Sequence, residues 1–524
     1  MKLKARWSVF CDYVFKERHH QVRLIKCLII VIGFFFFSRL PFFLYYPLPI
    51  EYPDTATYLW QLEKIEHGVL PTFELRTPGY PLFWWLCRLV SHKILFVIYA
   101  QNAITLFTII LTFILLARYS PRFLVPVTLV LSIFISSPTH LGADMFLLSE
   151  SIFVNSIILF SVSLYMALLT RKMIFVLMTS LSAAAAIYIR PTATFLIPIL
   201  IITALFLFNK CGRRIILGLV APVAIALSVL VLYNALTIKL FNLTGGGDWA
   251  MLWSTSIYVE PDPSLPDDIN KAIITKSENI SNSDKNIIYN SWDLLTFQQT
   301  IERNILNPIV PIARITGGPG PEPDHYLKQR GLYRQIYQTA IRQHPEVYLK
   351  NLFGAFILYF MKVGTSDWGD FYSYFPYKQY WETFVERSSF VKGLKDYYNP
   401  KPPSGFNVII SNGTKMLTAK RHLLTRLYTL YAYIRALLFE NMLWIIPLIF
   451  GLVLSVIGLI HSKGTSTGSL FIFLMILCLL GQAMLCSITG HIEKRYTYTL
   501  EFINYLLFAL APFAFGLKKK QLKS

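Results

Sequence analysis

Charged side chains are scarce in this sequence. Only 15% of its 524 residues are Asp, Glu, Lys or Arg, and 54% are hydrophobic, whereas a soluble globular protein carries about 25% charged residues. Uncharged apolar runs recur at about the 20-residue length that crosses the hydrocarbon core of a bilayer. The composition excludes an ordinary soluble enzyme and predicts an integral, multi-pass membrane protein.

Cysteine is scarce too, and its spacing makes two kinds of site unexpected. None of the 6 cysteines belongs to a CxxC pair, so we expect neither a disulfide framework nor a zinc site.

The formal net charge of +20 would suggest a nucleic-acid partner in a soluble protein. Here the basic residues stand between apolar runs, as the retention charges of cytoplasmic loops do. We therefore expect no nucleic-acid partner.

The basic loops predict a topology. A basic start precedes the apolar run 24–48, which places the N-terminus in the cytoplasm. Further apolar runs follow at 94–117, 123–143, 151–170, 173–189, 191–209 and 215–238, and others lie between 441 and 517. The basic connectors of the earlier group all fall on the cytoplasmic side. The predicted fold is an all-α polytopic membrane protein of about 10 transmembrane helices, with a large extracytoplasmic region.

The composition divides the chain into three parts. Residues 1–240 form a membrane module that includes the first outer loop, 51–81. Residues 241–440 are rich in Asn, Asp, Pro, Tyr and Ser, and predict an extracytoplasmic region with interfacial helices. Residues 441–524 return to membrane helices and end in a basic cytoplasmic tail. The apolar stretch 352–361 is short for a span, so we interpret it as interfacial or re-entrant.

Unusual charges collect on the predicted outer side. Asp54 and Arg76 lie in the first outer loop, and Glu150 opens an apolar run. The positive-inside rule disfavours Arg and Lys in short outer loops, so exceptions to it are functional candidates. These exceptions are Arg76, Arg190, Lys494 and Arg495.

Carboxylates and cations at one membrane face suit a lipid-linked substrate that carries phosphate. Arginine is the preferred planar partner of phosphate, and a carboxylate within hydrogen-bond reach can deprotonate an acceptor hydroxyl. Polyprenyl phosphate is a good leaving group. Sugar transfer from it therefore needs one base and positive charge near the departing phosphate, and the outer side supplies both.

The order of these motifs resembles the GT-C glycosyltransferases, in particular family 39 and its bacterial relatives, the aminoarabinose and mannosyl transferases. The matching residues are Asp54, Tyr58, Arg76 to Pro81, Ser149 and Glu150, Arg190 and Pro191, His344 to Asn351, and Glu493 to Tyr496. The resemblance covers chiefly residues 20–240 and 440–517. It implies a membrane glycosyltransferase that moves a sugar from a lipid-linked polyprenyl-phosphate donor to a glycan, lipid or protein acceptor by single displacement.

The resemblance also implies roles for individual residues. Asp54 would be the catalytic carboxylate and Glu150 the second acidic position, while Arg76 would lie near the lipid phosphate. No strict D-x-D motif occurs, and Glu322-Pro-Asp324 is its nearest approach. This departure favours a lipid-phosphate donor over a nucleotide sugar and leaves a divalent-metal cofactor open. The substrate-binding positions would be Tyr58, Arg76, Arg190, Lys494 and Arg495.

Simpler roles compete for these residues. Asp54 is also a favoured helix N-cap, and Arg76 and Arg495 also suit headgroup anchors. Glu150 also suits a residue that caps its span or orders a neighbouring helix. Arg39 lies inside the first span, where it either snorkels outward or faces a polar cavity.

Other functions fit the same architecture. A transporter or flippase of lipid-linked sugars is one, although such proteins often show internal repeats and none is evident here. A surface-polysaccharide ligase or polymerase is another, which usually relies on Arg and His more than on a first-loop Asp. We expect the bacterial inner membrane as the location, with the active site facing the periplasm.

Overall fold

The computed structural model describes most of the membrane part and over half of the central region. The described residues are 18–45, 55–69, 76–119, 124–243, 246–304, 312, 315, 323–361, 445–462, 466–488, 502–503 and 506–507. Their regular elements are 18 α-helices and one 3₁₀ helix. The predicted all-α class is confirmed.

Ten helices precede the central region. They are α1 (Arg18–Tyr45), α2 (Thr55–Glu66), α3 (Gly79–Val90), α4 (Leu95–Tyr119), α5 (Leu124–Ser136), α6 (Pro138–Met145), α7 (Glu150–Thr170), α8 (Met173–Ile189), α9 (Leu196–Cys211) and α10 (Arg213–Ile238). The 3₁₀ helix Pro191–Phe195 joins α8 to α9.

Eight helices follow. They are α11 (Gly247–Thr255), α12 (Asp267–Asn279), α13 (Asn282–Asn290), α14 (Leu294–Asn304), α15 (Pro323–Gln343), α16 (Pro345–Met361), α17 (Ile445–His461) and α18 (Thr467–Ile488). We call residues 247–361 the insert module.

Five of the described helices are long and apolar enough to cross a membrane. They are α1, α4, α7, α10 and α18, and α5, α8, α9 and α17 contain shorter apolar stretches. This is the architecture of a multi-pass membrane protein, as the composition predicted. The number of about ten spans stays a prediction, because the last apolar run lies largely outside the described residues.

Proline marks two of the breaks between apolar helices. The first break separates α5 from α6, where Ser137 has an extended conformation and its hydroxyl accepts from the backbone N–H of His140. Pro138 then opens α6, since proline fits the first turn of a helix and not its interior. At the second break, Pro191 keeps Arg190 extended, at φ −145° and ψ 123°. The first break divides the predicted run 123–143, whereas the second lies at the predicted boundary between two runs, 173–189 and 191–209.

Two hydrophobic cores organise the described residues. One joins the membrane-type helices α1–α10 with α18, and the other joins the helices of the insert module. Helix α16 belongs to both, because Val347 lies in the insert core whereas Ala355 and Tyr359 lie in the membrane core. It packs against both α14 and α18. The apolar stretch 352–361 is therefore the second half of the helix that joins the two cores.

Candidate functional site

A buried non-helical segment separates α6 from α7. It comprises residues 146–149, which are almost fully buried. Backbone polar groups at membrane depth need partners inside the protein. Gln101 of α4 donates from Nε2 to the carbonyl of Phe146 at 3.0 Å, and Thr55 of α2 donates from Oγ1 to the carbonyl of Leu147 at 3.1 Å. Non-helical backbone of this kind, where it lines a cavity, is a common setting for substrate sites in membrane proteins.

Tyr58 reaches the end of this segment from α2. Its hydroxyl donates to Ser149 Oγ at 2.9 Å, and its side chain is buried. Its ring packs edge-on against Tyr80 of α3, with 4.8 Å between the ring centroids. The Tyr80 hydroxyl donates to Gln101 Oε1 at 2.7 Å. The predicted substrate-binding residue Tyr58 is thus anchored in a hydrogen-bonded network that holds the segment.

Glu150 and Arg190 form a buried ion pair at the start of α7. Arg190 Nη2 lies 2.8 Å from Glu150 Oε1, with side-chain exposures of 10% and 0%. The position of Glu150 in the first turn is favourable because a helix N-terminus attracts negative charge. Glu150 therefore links α7 to the end of α8, which is the ordering role that the sequence left open. Its catalytic role stays a prediction.

Arg76 lies beside Tyr58. Its Nε donates to Thr57 Oγ1 at 3.1 Å, and its guanidinium carbon lies 5.3 Å from the centre of the Tyr58 ring. That distance is within the range of a cation–π contact. The side chain is half-buried. The structure thus brings Arg76 to the same end of the network as Ser149 and Glu150.

Gly79 allows α3 to approach the end of α8. A Cβ at this position would lie 2.5 Å from the carbonyl oxygen of Tyr188 and 2.8 Å from the backbone nitrogen of Ile189. Only glycine fits such a close approach of two backbones. This contact places the segment that carries Arg76 next to the helix end that carries Arg190. The glycine of the Arg-Thr-Pro-Gly-Tyr-Pro motif therefore serves the packing of α3 against α8.

Arg39 does not snorkel outward. Its side chain is 1% exposed and its Nη2 lies 2.5 Å from Asp144 Oδ2. Its charge is paired with a buried carboxylate inside the bundle, and the polar cavity of the second alternative stays a prediction. Sequence reasoning did not pair Arg39 with Asp144, because the two residues are 105 positions apart along the chain.

Three of the predicted site residues, Asp54, Lys494 and Arg495, lie outside the described residues. Sequence reasoning also overlooked Thr55, Gln101 and other neutral side chains that hold the segment. A signal existed for Gln101, because amide side chains are unusual inside an otherwise apolar span. Within the described ranges, no group of three or more His, Cys, Asp or Glu side chains is placed to hold a metal ion.

Comparison of the chain with protein-family models, curated proteins and solved structures finds no match. Function is therefore inferred from the residues and their contacts.

Proposed function

We propose that this chain is an integral membrane glycosyltransferase. It would move a sugar from a polyprenyl-phosphate donor to an acceptor hydroxyl on the extracytoplasmic face. The observation that best supports this is the convergence of Arg76, Tyr58, Glu150 and Arg190 on the buried break before α7. Two cations, a carboxylate and aromatic surface at one end of an apolar bundle suit an anionic lipid-linked substrate.

The proposed reaction is a single displacement. The acceptor oxygen attacks the anomeric carbon while the bond from that carbon to the phosphate oxygen breaks. Asp54 takes the acceptor proton, and the electron pair of the broken bond leaves on polyprenyl phosphate. A cation at the phosphate stabilises the charge that develops there. No covalent sugar–enzyme intermediate is needed.

Arg76 is the arginine that we assign to the phosphate. Arg190 is already engaged by Glu150 in a buried ion pair, so its charge is neutralised within the protein. Arg76 is half-buried, and its contacts with the hydroxyl of Thr57 and the ring of Tyr58 hold it beside the break before α7. We assign Glu150 and Arg190 to the frame of the site, with Asp54 as the base.

The insert module is the part that we assign to acceptor selection. Its helix α16 packs on α18, and α18 in turn packs on the 3₁₀ helix that follows Arg190. The module is therefore connected to the site through packed helices. A lipid-linked donor would reach the site from the bilayer, whereas the acceptor would meet the insert module.

A transporter of lipid-linked sugars is the second candidate. It is favoured by the fully buried Arg39–Asp144 ion pair, because ionisable residues inside a bundle often mark a transport pathway. Substrate-dependent flux without any covalent product would support this alternative.

The proposed phosphate contact is tested by Arg76→Gln, with Arg88→Gln as the matched control. Arg88 lies in α3 and pairs with Glu66 at 3.0 Å, where both side chains are partly exposed. Loss of a charge-assisted contact to phosphate costs about 1.5–3 kcal/mol, so kcat/KM for the donor should fall about tenfold or more. The control should keep the wild-type value. Equal kcat/KM values for both variants would remove Arg76 from the phosphate site.

A further inference from the structure

A second polar cluster lies in the bundle, next to the site and outside its proposed chemistry. Its centre is the ion pair of Arg39 in α1 and Asp144 in α6. The guanidinium also donates from Nε to Asn102 Oδ1 at 2.8 Å and from Nη1 to the carbonyl of Ile135 at 2.9 Å. Its carbon lies 3.9 Å from the centre of the Phe35 ring. These contacts fix the guanidinium against three other helices, α4, α5 and α6.

The carboxylate of Asp144 is held from two further helices. Its Oδ1 accepts from Thr105 Oγ1 of α4 at 2.8 Å and from Ser151 Oγ of α7 at 2.6 Å. Ser151 directly follows Glu150 in the first turn of α7. One carboxylate therefore ties α1, α4 and the start of α7 together.

Gln101 provides a second connection from this cluster to the site. Its Nε2 donates to the carbonyl of Asp144 at 2.9 Å as well as to that of Phe146 at 3.0 Å. Its Oε1 accepts from Tyr80, whose ring packs on Tyr58. Gln101 thus holds the carbonyl of Asp144 near the end of α6 and that of Phe146 at the start of the buried break, whose last residue, Ser149, is the one that Tyr58 contacts.

Stability alone does not account for such a pair. Replacing a buried ion pair by apolar residues of similar volume is often neutral or stabilising, whereas removing one partner is strongly destabilising. Polar groups retained in a core can instead specify one arrangement of their neighbours. The contacts of Asp144 bear directly on the break before α7.

We propose that Arg39 and Asp144 are positioning residues, which fix the segment 146–149 and thereby the positions of Glu150 beside Arg190 and of Tyr58 beside Arg76. The positioning itself does not depend on the reaction catalysed. Its effect on turnover rests on the proposed function.

The test is the double variant Arg39→Met/Asp144→Leu, which removes both charges and keeps apolar volume. A reporter, Leu148→Cys, is introduced into full-length protein whose native cysteines are replaced, and its modification by a maleimide is timed. The matched reporter is Leu200→Cys in α9. Both leucines are almost fully buried, at 0% and 3% exposure.

We expect the double variant to remain folded, with a melting temperature near that of the parent. Modification at Leu148→Cys should become about tenfold faster, which corresponds to about 1.4 kcal/mol of easier local opening. Modification at Leu200→Cys should not change. An unchanged rate at Leu148→Cys would overturn the proposal, and equal acceleration at both positions would show general loosening and overturn it too.

A milder variant covers the case in which the double variant fails to fold. Ser151→Ala removes one bond to Asp144 and leaves the ion pair intact, so it should accelerate modification at Leu148→Cys alone, by a smaller factor. No acceleration there would contradict the proposal.

Turnover separates positioning from simple structural support. If the chain is a transferase, the double variant should lose kcat while the donor KM stays near the parent value, because Arg76 is untouched. A rise in donor KM at unchanged kcat would contradict the assignment. Absence of turnover in the parent protein would refute the proposed function only, since the maleimide rates still decide the positioning.

Discussion

Replacing Gly79 by alanine should disrupt the site from a position that carries no chemistry. The added Cβ would lie 2.5 Å from the carbonyl oxygen of Tyr188, 2.7 Å from its carbonyl carbon and 2.8 Å from the nitrogen of Ile189. All three are backbone atoms in the last turn of α8, so no side chain can rotate away. Helices α3 and α8 must separate instead.

The size of the effect follows from these distances. Nonbonded heavy atoms pack best at about 3.5–4.0 Å, so Gly79→Ala requires a shift of about 1 Å. Overpacking of this kind costs about 1–3 kcal/mol of folding free energy. A displacement of about 1 Å at a catalytic group can reduce turnover about 100-fold. Because the contact holds Arg76 next to Arg190, we expect both losses.

Two other glycines provide matched controls, assayed by thermal unfolding in detergent and by turnover. Gly33 in α1 has no atom within 4 Å of an added Cβ, so Gly33→Ala should be neutral or stabilise the helix by about 0.5–1 kcal/mol. At Gly354 the closest atoms, at 2.8 Å, belong to the Gln298 side chain, which can move, so Gly354→Ala should have an intermediate effect. If Gly79→Ala matches Gly33→Ala in both assays, the close approach of α3 and α8 is refuted.

Three further predictions concern other parts of the molecule. Burial lowers the pKa of Lys276 from 10.5 to about 7. Because the unfolded chain binds more protons between these two values, the free energy of unfolding should rise from pH 7 to 10.5. Lys276→Met should lack this rise when its unfolding by denaturant is measured. Arg190→Met should destabilise the fold by about 3–5 kcal/mol, and adding Glu150→Gln should recover most of that loss in melting experiments. A spin label at Phe353, which is exposed on α16, should be more accessible to oxygen than to an aqueous nickel reagent. A label at Ile274 of the insert module should show the reverse. Equal accessibility of the Phe353 label to the two reagents would place α16 away from the bilayer.

The features that the sequence predicted well depend on local pattern. The bounds of α8 agree with the predicted run 173–189, and those of α7 and α10 differ from theirs by at most two residues. A membrane-spanning helix is recognised by its length and by its lack of charged residues, and both can be read from one stretch of the sequence. The run 123–143 was less informative, because Pro138 inside it ends one helix and begins another.

The missed features are tertiary. Arg39 and Asp144 are 105 positions apart, and Glu150 and Arg190 are 40 apart, so no local pattern pairs them. Thr55 and Gln101 carry no charge, and their role depends on which buried carbonyls face them. Gly79 was part of a recognised motif. The reason that glycine is needed there is its contact with the backbone of α8, which only the packed structure shows.

The most direct test of the proposed function is sugar transfer by the purified full-length protein in detergent. A panel of polyprenyl-phosphate donors with radiolabelled sugars would be offered to the wild type and to Asp54→Asn. The proposed mechanism predicts a labelled product together with free polyprenyl phosphate for the wild type. It predicts a loss of about 10²–10⁴-fold for Asp54→Asn, with unchanged thermal unfolding. Transfer at the wild-type rate by Asp54→Asn, or translocation of the donor without any covalent product, would contradict it.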